Sequence, residues 1–125
     1  MATITPTLAD LSGDGTVRKA TWATLTFSGT DVGAAFPYSA WVDQSVQVTG
    51  TFGAGGNVRW EGSNDGTNYV ALTDPQGNAL DFTTAKIEAV TEIAALVRPR
   101  VTAGDGTTSL TVTLVARNGR TARGG

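Results

Sequence analysis

The stretch Trp60–Leu80, WEGSNDGTNYVALTDPQGNAL, decides the fold. Val58 and Trp60 alternate with Arg59 and Glu61, the period-two pattern of a strand with one apolar face. The run Gly62-Ser63-Asn64-Asp65-Gly66-Thr67 supplies turn chemistry, and Tyr69-Val70-Ala71-Leu72 resumes an extended run. Asp65-Gly66 is a strong hairpin signal, because glycine enters positive φ without a Cβ clash and aspartate tolerates it through local hydrogen bonds. The segment reads as strand, tight turn, strand. Trp60, on the apolar phase with Val58, is expected in the core.

Alternation continues outward on both sides. Val46, Val48 and Phe52 alternate with Gln47, Thr49 and Thr51, and Leu110, Val112 and Leu114 alternate with Ser109, Thr111 and Thr113. Less regular strand candidates are Val17–Phe27, Ala79–Phe82, Ile87–Ile93 and Ala95–Thr102. Thr84–Ala95 also carries good helix formers, with Ile87, Val90 and Ala94 spaced for one helical face, but is read as extended. About eight short strands with frequent turn signals predict an all-β fold, an antiparallel β-sandwich or small jelly-roll-like barrel. Residues 1–15 read as an extended N-terminal arm, 16–117 as the sandwich and 118–125 as a polar basic tail. Pro99 lacks a ladder donor, so its strand is expected at an edge or bulged there. Gly53-Ala54-Gly55-Gly56 is followed by no Lys-Ser/Thr or helix start and reads as a hairpin loop.

Composition narrows the chemistry. The chain has 125 residues, no Cys and no His. Disulfides, thiolate metal sites, Ser-His-Asp or Cys-His nucleophile pairs and the commonest zinc ligand are thereby excluded. Carboxylate pairs remain, but Glu88 and Glu92 are expected on a solvated strand face opposite Ile87, Ala89 and Ile93, and Glu61 and Asp65 merely flank a turn. The triplet Asp-Gly-Thr at 14–16, 65–67 and 105–107 fits shared turn physics, since none of the three continues into a calcium-loop pattern. No catalytic, cofactor-binding or metal residue is expected, and the protein is read as non-enzymatic. No secretory signal or membrane span is expected either.

Charge is uneven. Through Ile93 there are four basic residues against ten acids, net −6; after it, five arginines against Asp105, net +4. Such asymmetry reads as a solvated surface with a frayed end, or as a basic docking face; no basic helix or aromatic-rich basic stripe points to nucleic acid. Of the tryptophans, Trp22 falls on the opposite phase from Val17, Leu25 and Phe27, facing outward or lying under the arm. Trp41 follows the aromatic-dense Phe36-Pro37-Tyr38-Ser39-Ala40, either a contact loop or a plug at one end of the sandwich.

From about Ser45 to Arg117, and most of all in the Trp60–Leu80 block, the sequence resembles small β-rich proteins of tailed-bacteriophage particles, particularly head decoration (cement) proteins. The resemblance implies a β domain made in the bacterial host cytoplasm and carried on the outer capsid surface. It implies binding to the major capsid protein, self-association as a homotrimer, no cofactor, and no direct nucleic-acid or membrane partner. The contact residues expected lie in the arm (Thr3, Ile4, Thr5, Pro6, Leu8), the aromatic loop (Phe36, Tyr38, Trp41) and the basic end (Arg98, Arg100, Arg117, Arg120). A tail or head–tail joining role belongs to the same class. EGSNDGTNY, ending on Tyr69, also looks like the hairpin of discoidin-type galactose-binding sandwiches, which would call for a sugar-stacking platform at Trp41 or Trp22.

Overall fold

The computed structural model describes residues 3–13, 15–29, 31–37 and 43–117. They form two facing β-sheets, with no helix among them. One sheet is built on β3 (Val17–Thr26), β6 (Asp43–Thr51), β10 (Lys86–Ala89) and β12 (Ser109–Arg117), in the order β10-β6-β12-β3, with β2 (Thr7–Asp10) outside β3. The other is built on β7 (Asn57–Ser63) and β11 (Leu96–Ala103). On one side of that pair lie β4 (Val32–Gly33) and β5 (Phe36–Pro37), which both pair with β11; on the other lie β8 (Val70–Ala71) and β9 (Asp81–Phe82), which both pair with β7. From β3 onward the chain crosses between the sheets at nearly every connection. With β4/β5 and β8/β9 each taken as one interrupted strand, this is the eight-position jelly roll.

The alternation seen in the sequence sets the core. Leu110, Val112, Leu114 and Ala116 of β12 and Val46 and Val48 of β6 face Val58 and Trp60 of β7 and Val97 and Val101 of β11. Trp22 and Trp60 meet edge to face between the sheets, 5.6 Å between ring centroids. The opposite phase expected for Trp22 is corrected by a β-bulge. Leu110 pairs with Leu25 but Val112 pairs with Trp22, so Ala23 and Thr24 together oppose Thr111. The extra residue resets the phase, and Trp22 and Leu25 are both fully buried. A sugar-stacking role for Trp22 is thereby lost.

Four further expectations change. The Gly53–Gly56 loop joins β6 to β7, which lie in different sheets, so it is a corner between sheets and not a hairpin. Pro99 sits in an inner strand, with β7 on one side and β4/β5 on the other. Val101 N–H donates to the Asp31 carbonyl on the β4 side, so the Pro99 nitrogen, two residues earlier, faces the break between β4 and β5, where no ladder donor is needed. On β10 the phase is inverted: Ile87 pairs with Gln47 on the outer face and is exposed, while Lys86 and Glu88 share rows with Val48 and Val46 at the sandwich rim. Inward-leaning charge on an edge strand opposes further strand pairing. Finally, the expected arm is extended but engaged in cis. β1 (Thr3–Ile4) pairs in parallel with β4, and β2 pairs antiparallel with β3, so residues 3–10 connect one sheet to the other and cover an edge of each.

That closure depends on Gly33. A Cβ there would lie 2.5 Å from both Pro99 Cδ and Trp22 Cδ1, two rings with nowhere to retreat. Gly33→Ala is expected to destabilise by about 1–3 kcal/mol, the usual range for overpacking a core, as read from the urea midpoint at unchanged m-value.

Candidate functional site

The outer face of the β7/β11 sheet carries a connected polar array. Arg59 and Glu61 leave β7 on the face opposite Trp60; Arg98 and Arg100 leave β11 on the same face. Glu61 lies directly across from Arg98, and Arg59 directly across from Arg100. Two arginines opposite each other would repel, but each has a carboxylate beside it. Glu61 accepts from Arg98 Nε at 2.7 Å and from Arg100 Nε at 3.2 Å. Asp81, opposite Arg59 on β9, accepts from Arg59 Nε at 3.0 Å and from Asn57 Nδ2 at 3.3 Å. Asn57 Nδ2 also donates to Thr102 Oγ1 at 2.8 Å. The Tyr69 ring lies 3.6 Å from the Arg98 guanidinium carbon, a stacked cation–π contact that fixes the guanidinium plane. Glu61 keeps only 1% of its side-chain exposure although it points away from the core, because the two arginines lie across it.

The sequence-derived contact residues do not converge. Thr3, Ile4, Thr5, Pro6 and Leu8 belong to the cis-paired segment, with Leu8 half exposed. Phe36 is buried beside Val97 and joins the core. Tyr38, Trp41 and Arg120 lie outside the described residues. Arg117 ends β12 on the other sheet, ion-paired with Asp43. Only Arg98 and Arg100 come together, and their companions Arg59, Glu61, Tyr69 and Asp81 were not among the expected contacts. The alternation placed Arg59 and Glu61 on the outward phase; that Glu61 would be covered there depends on strand pairing across 37 residues of sequence.

Other carboxylates act as loop clamps. In the hairpin, Asp65 accepts from the backbone N–H groups of Thr67 and Asn68, both at 2.8 Å, and Gly66 takes φ 80° as the turn requires. Asp105 does the same for Thr107 at 2.9 Å, and reaches the corner loop to accept from Ala54 N–H at 2.9 Å. Asp10 accepts from Ser12, Gly13 and Gly15, and Asp74 from Gln76 and Asn78. The turn reading of the Asp-Gly-Thr triplets therefore holds at 65–67 and 105–107; Asp14 lies outside the described residues. Glu92 ties the 91–95 segment to Thr73, accepting from its backbone N–H at 2.7 Å and from its hydroxyl, and is thus not paired with Glu88 on a strand face.

These bonds favour the ionised forms. The N–H groups of Asn68 and then Thr67 hold Asp65 well below the usual carboxylate range, and the Ala54 N–H, followed by Thr107, brings Asp105 to about 2. Asp10 and Asp74 are lowered as well, chiefly by the N–H groups of Ser12 and Asn78 respectively. Because the folded values lie below the unfolded one of about 3.9, the stabilisation is complete above pH ~5 and is lost as pH falls toward the folded values. The melting temperature is expected to be flat from about pH 7 to pH 5 and to fall between about pH 4 and pH 2. Asp105→Asn should lower it at pH 7 and flatten the acid limb, as measured by calorimetry at constant ionic strength.

Strand order, core and outer array together define a jelly-roll β-sandwich with a tied polar face. No protein-family model matches the sequence, and no curated protein does. Among solved structures the chain is similar to the SPBc2 prophage-derived protein YomS, with a TM-score of 0.57 over 80% of this chain and 93% of that one, at 15% identity. At that identity the likeness is one of fold. A weaker similarity is to HppE. The CoII form in complex with Tris gives a TM-score of 0.44 at 11% identity over 89% of this chain and 51% of that one, and the FeII form gives 0.38 at 12%. Among the described residues no group of three or more His, Cys, Asp or Glu is placed to hold a metal ion.

Proposed function

We propose that this protein is a non-enzymatic structural component of a tailed-phage particle that binds the outer surface of the capsid and stabilises it by bridging major capsid subunits. The observation that carries the reading is the shared fold with a prophage-derived protein over nearly that protein's whole length. It is supported by the resemblance of residues 45–117 to head decoration proteins and by a sequence without His or Cys. Binding is then the whole mechanism. Many identical contacts, repeated over the shell and linked through a homotrimer, make detachment far slower than one contact would allow. Because residues 3–10 are paired within their own sandwich, they would reach a neighbour only by exchange. The open sheet faces are the better docking elements.

The test is quantitative mass spectrometry of purified particles, together with add-back to particles lacking the protein. A copy number comparable to that of the major capsid protein, and add-back that raises the temperature of DNA release, are the expected results. A handful of copies per particle would point to a tail or joining position, and absence from particles would end the reading.

A further inference from the structure

We infer that the Arg59–Arg98–Arg100 array on the outer face of the β7/β11 sheet is a preformed docking site for the carboxylates of an acidic, extended protein segment. The reason lies in how the three guanidiniums are held. Arg98 and Arg100 both engage Glu61 through Nε, and Arg59 engages Asp81 through Nε. No other acceptor among the described residues takes a hydrogen bond from any of the three. Each arginine is thus anchored by its inner edge and turns its terminal amino groups outward, where the side chains are 27–37% exposed. A guanidinium presents parallel N–H donors that match a carboxylate. Anchoring Nε and stacking Arg98 on Tyr69 remove in advance much of the rotamer entropy that docking would otherwise cost.

Charge and spacing select the partner. Three guanidiniums against Glu61 and Asp81 leave one positive charge in excess. That suits a few carboxylates and is poor for a polyanion such as nucleic acid, which the two acids would oppose. Arg98 and Arg100 are two apart on one strand, so their side chains rise roughly 6.8 Å from each other along it. Aspartate or glutamate at alternate positions of an extended segment repeats that distance. Only the identity of the partner, an acidic segment displayed by a capsid subunit, rests on the proposed virion role; the site itself does not.

The test uses the isolated chain, so it can fail without touching the particle reading, and the reverse. The protein is titrated with a pentapeptide carrying aspartate at alternate positions, while the arginine Nε–Hε resonances are followed by NMR. Saturable shifts at Arg59, Arg98 and Arg100, absent with the asparagine version of the peptide, are expected. Arg59→Gln, which leaves both Glu61 pairs in place, should weaken binding about fivefold, roughly the worth of one exposed ion pair. Arg59→Lys, which keeps the charge but not the fork, should fall between. No saturable shift, equal shifts with the asparagine peptide, or tighter binding of decathymidylate than of the acidic peptide would each overturn the inference.

Discussion

Replacing Trp22 by alanine is expected to cost about 3–5 kcal/mol of folding free energy, the range for truncating a large buried aromatic. The indole is fully buried, packs edge to face on Trp60, and donates its Nε1–H to the Ala34 carbonyl at 3.0 Å. That bond joins β3 of one sheet to the loop between β4 and β5 of the other. Trp60 differs in one respect: its Nε1 has no partner among the described residues. Conservative changes should therefore separate the two. Trp22→Phe strands the Ala34 carbonyl, whereas Trp60→Phe removes an unpaired buried donor, so Trp22→Phe should be the more costly by about 1 kcal/mol. Urea denaturation followed by circular dichroism reads both; equal costs would show that the Ala34 hydrogen bond contributes nothing net.

The second large effect is expected at the outer array. Replacing Arg98 and Arg100 together by methionine keeps the Glu61 carboxylate covered by apolar stems but without a counter-charge, at a cost of about 3–5 kcal/mol. Either arginine alone should cost roughly 1 kcal/mol, because the other still pairs with Glu61 and both are partly hydrated. The pattern is therefore non-additive. Adding Glu61→Gln to the double variant should restore part of the loss by removing the buried charge. Additive single losses, or no rescue by Glu61→Gln, would mean that the carboxylate hydrates readily and the array is not a unit. The double variant would change stability and docking together, which is why Arg59 carries the docking test.

Much of the architecture was legible in local patterns. Strict alternation in 46–52 and 109–115 marks half-buried strands whatever they pair with, and Asp65-Gly66 closes a hairpin through bonds within four residues. Short pieces such as Val32–Gly33 and Phe36–Pro37 are too brief to show a period. The inversion at Ile87 and the phase slip at Trp22 are also invisible locally. One depends on β10 being an edge strand, the other on a bulge against β12. Among the expected contact residues, Phe36 lies in an aromatic stretch that fits a contact loop and a plug equally well, and only its burial in the core decides for filling.

Charge shows the same division most clearly. Along the chain the acids precede Ile93 and the arginines follow it, which reads as a basic end. In the fold, Arg98 and Arg100 meet Glu61, and Arg117 meets Asp43, so three of those arginines find acids from the earlier part. The Trp60–Leu80 segment by itself determined a strand, a turn and a strand, because the turn rests on bonds between residues close in sequence, and its alternation marked Trp60 for the buried face. That an arginine array would assemble on the outward face of that strand was decided only by the tertiary structure. Coulomb and hydrogen-bond terms act over a few ångströms, and only antiparallel pairing of β7 with β11 brings Glu61 that near to Arg98 and Arg100.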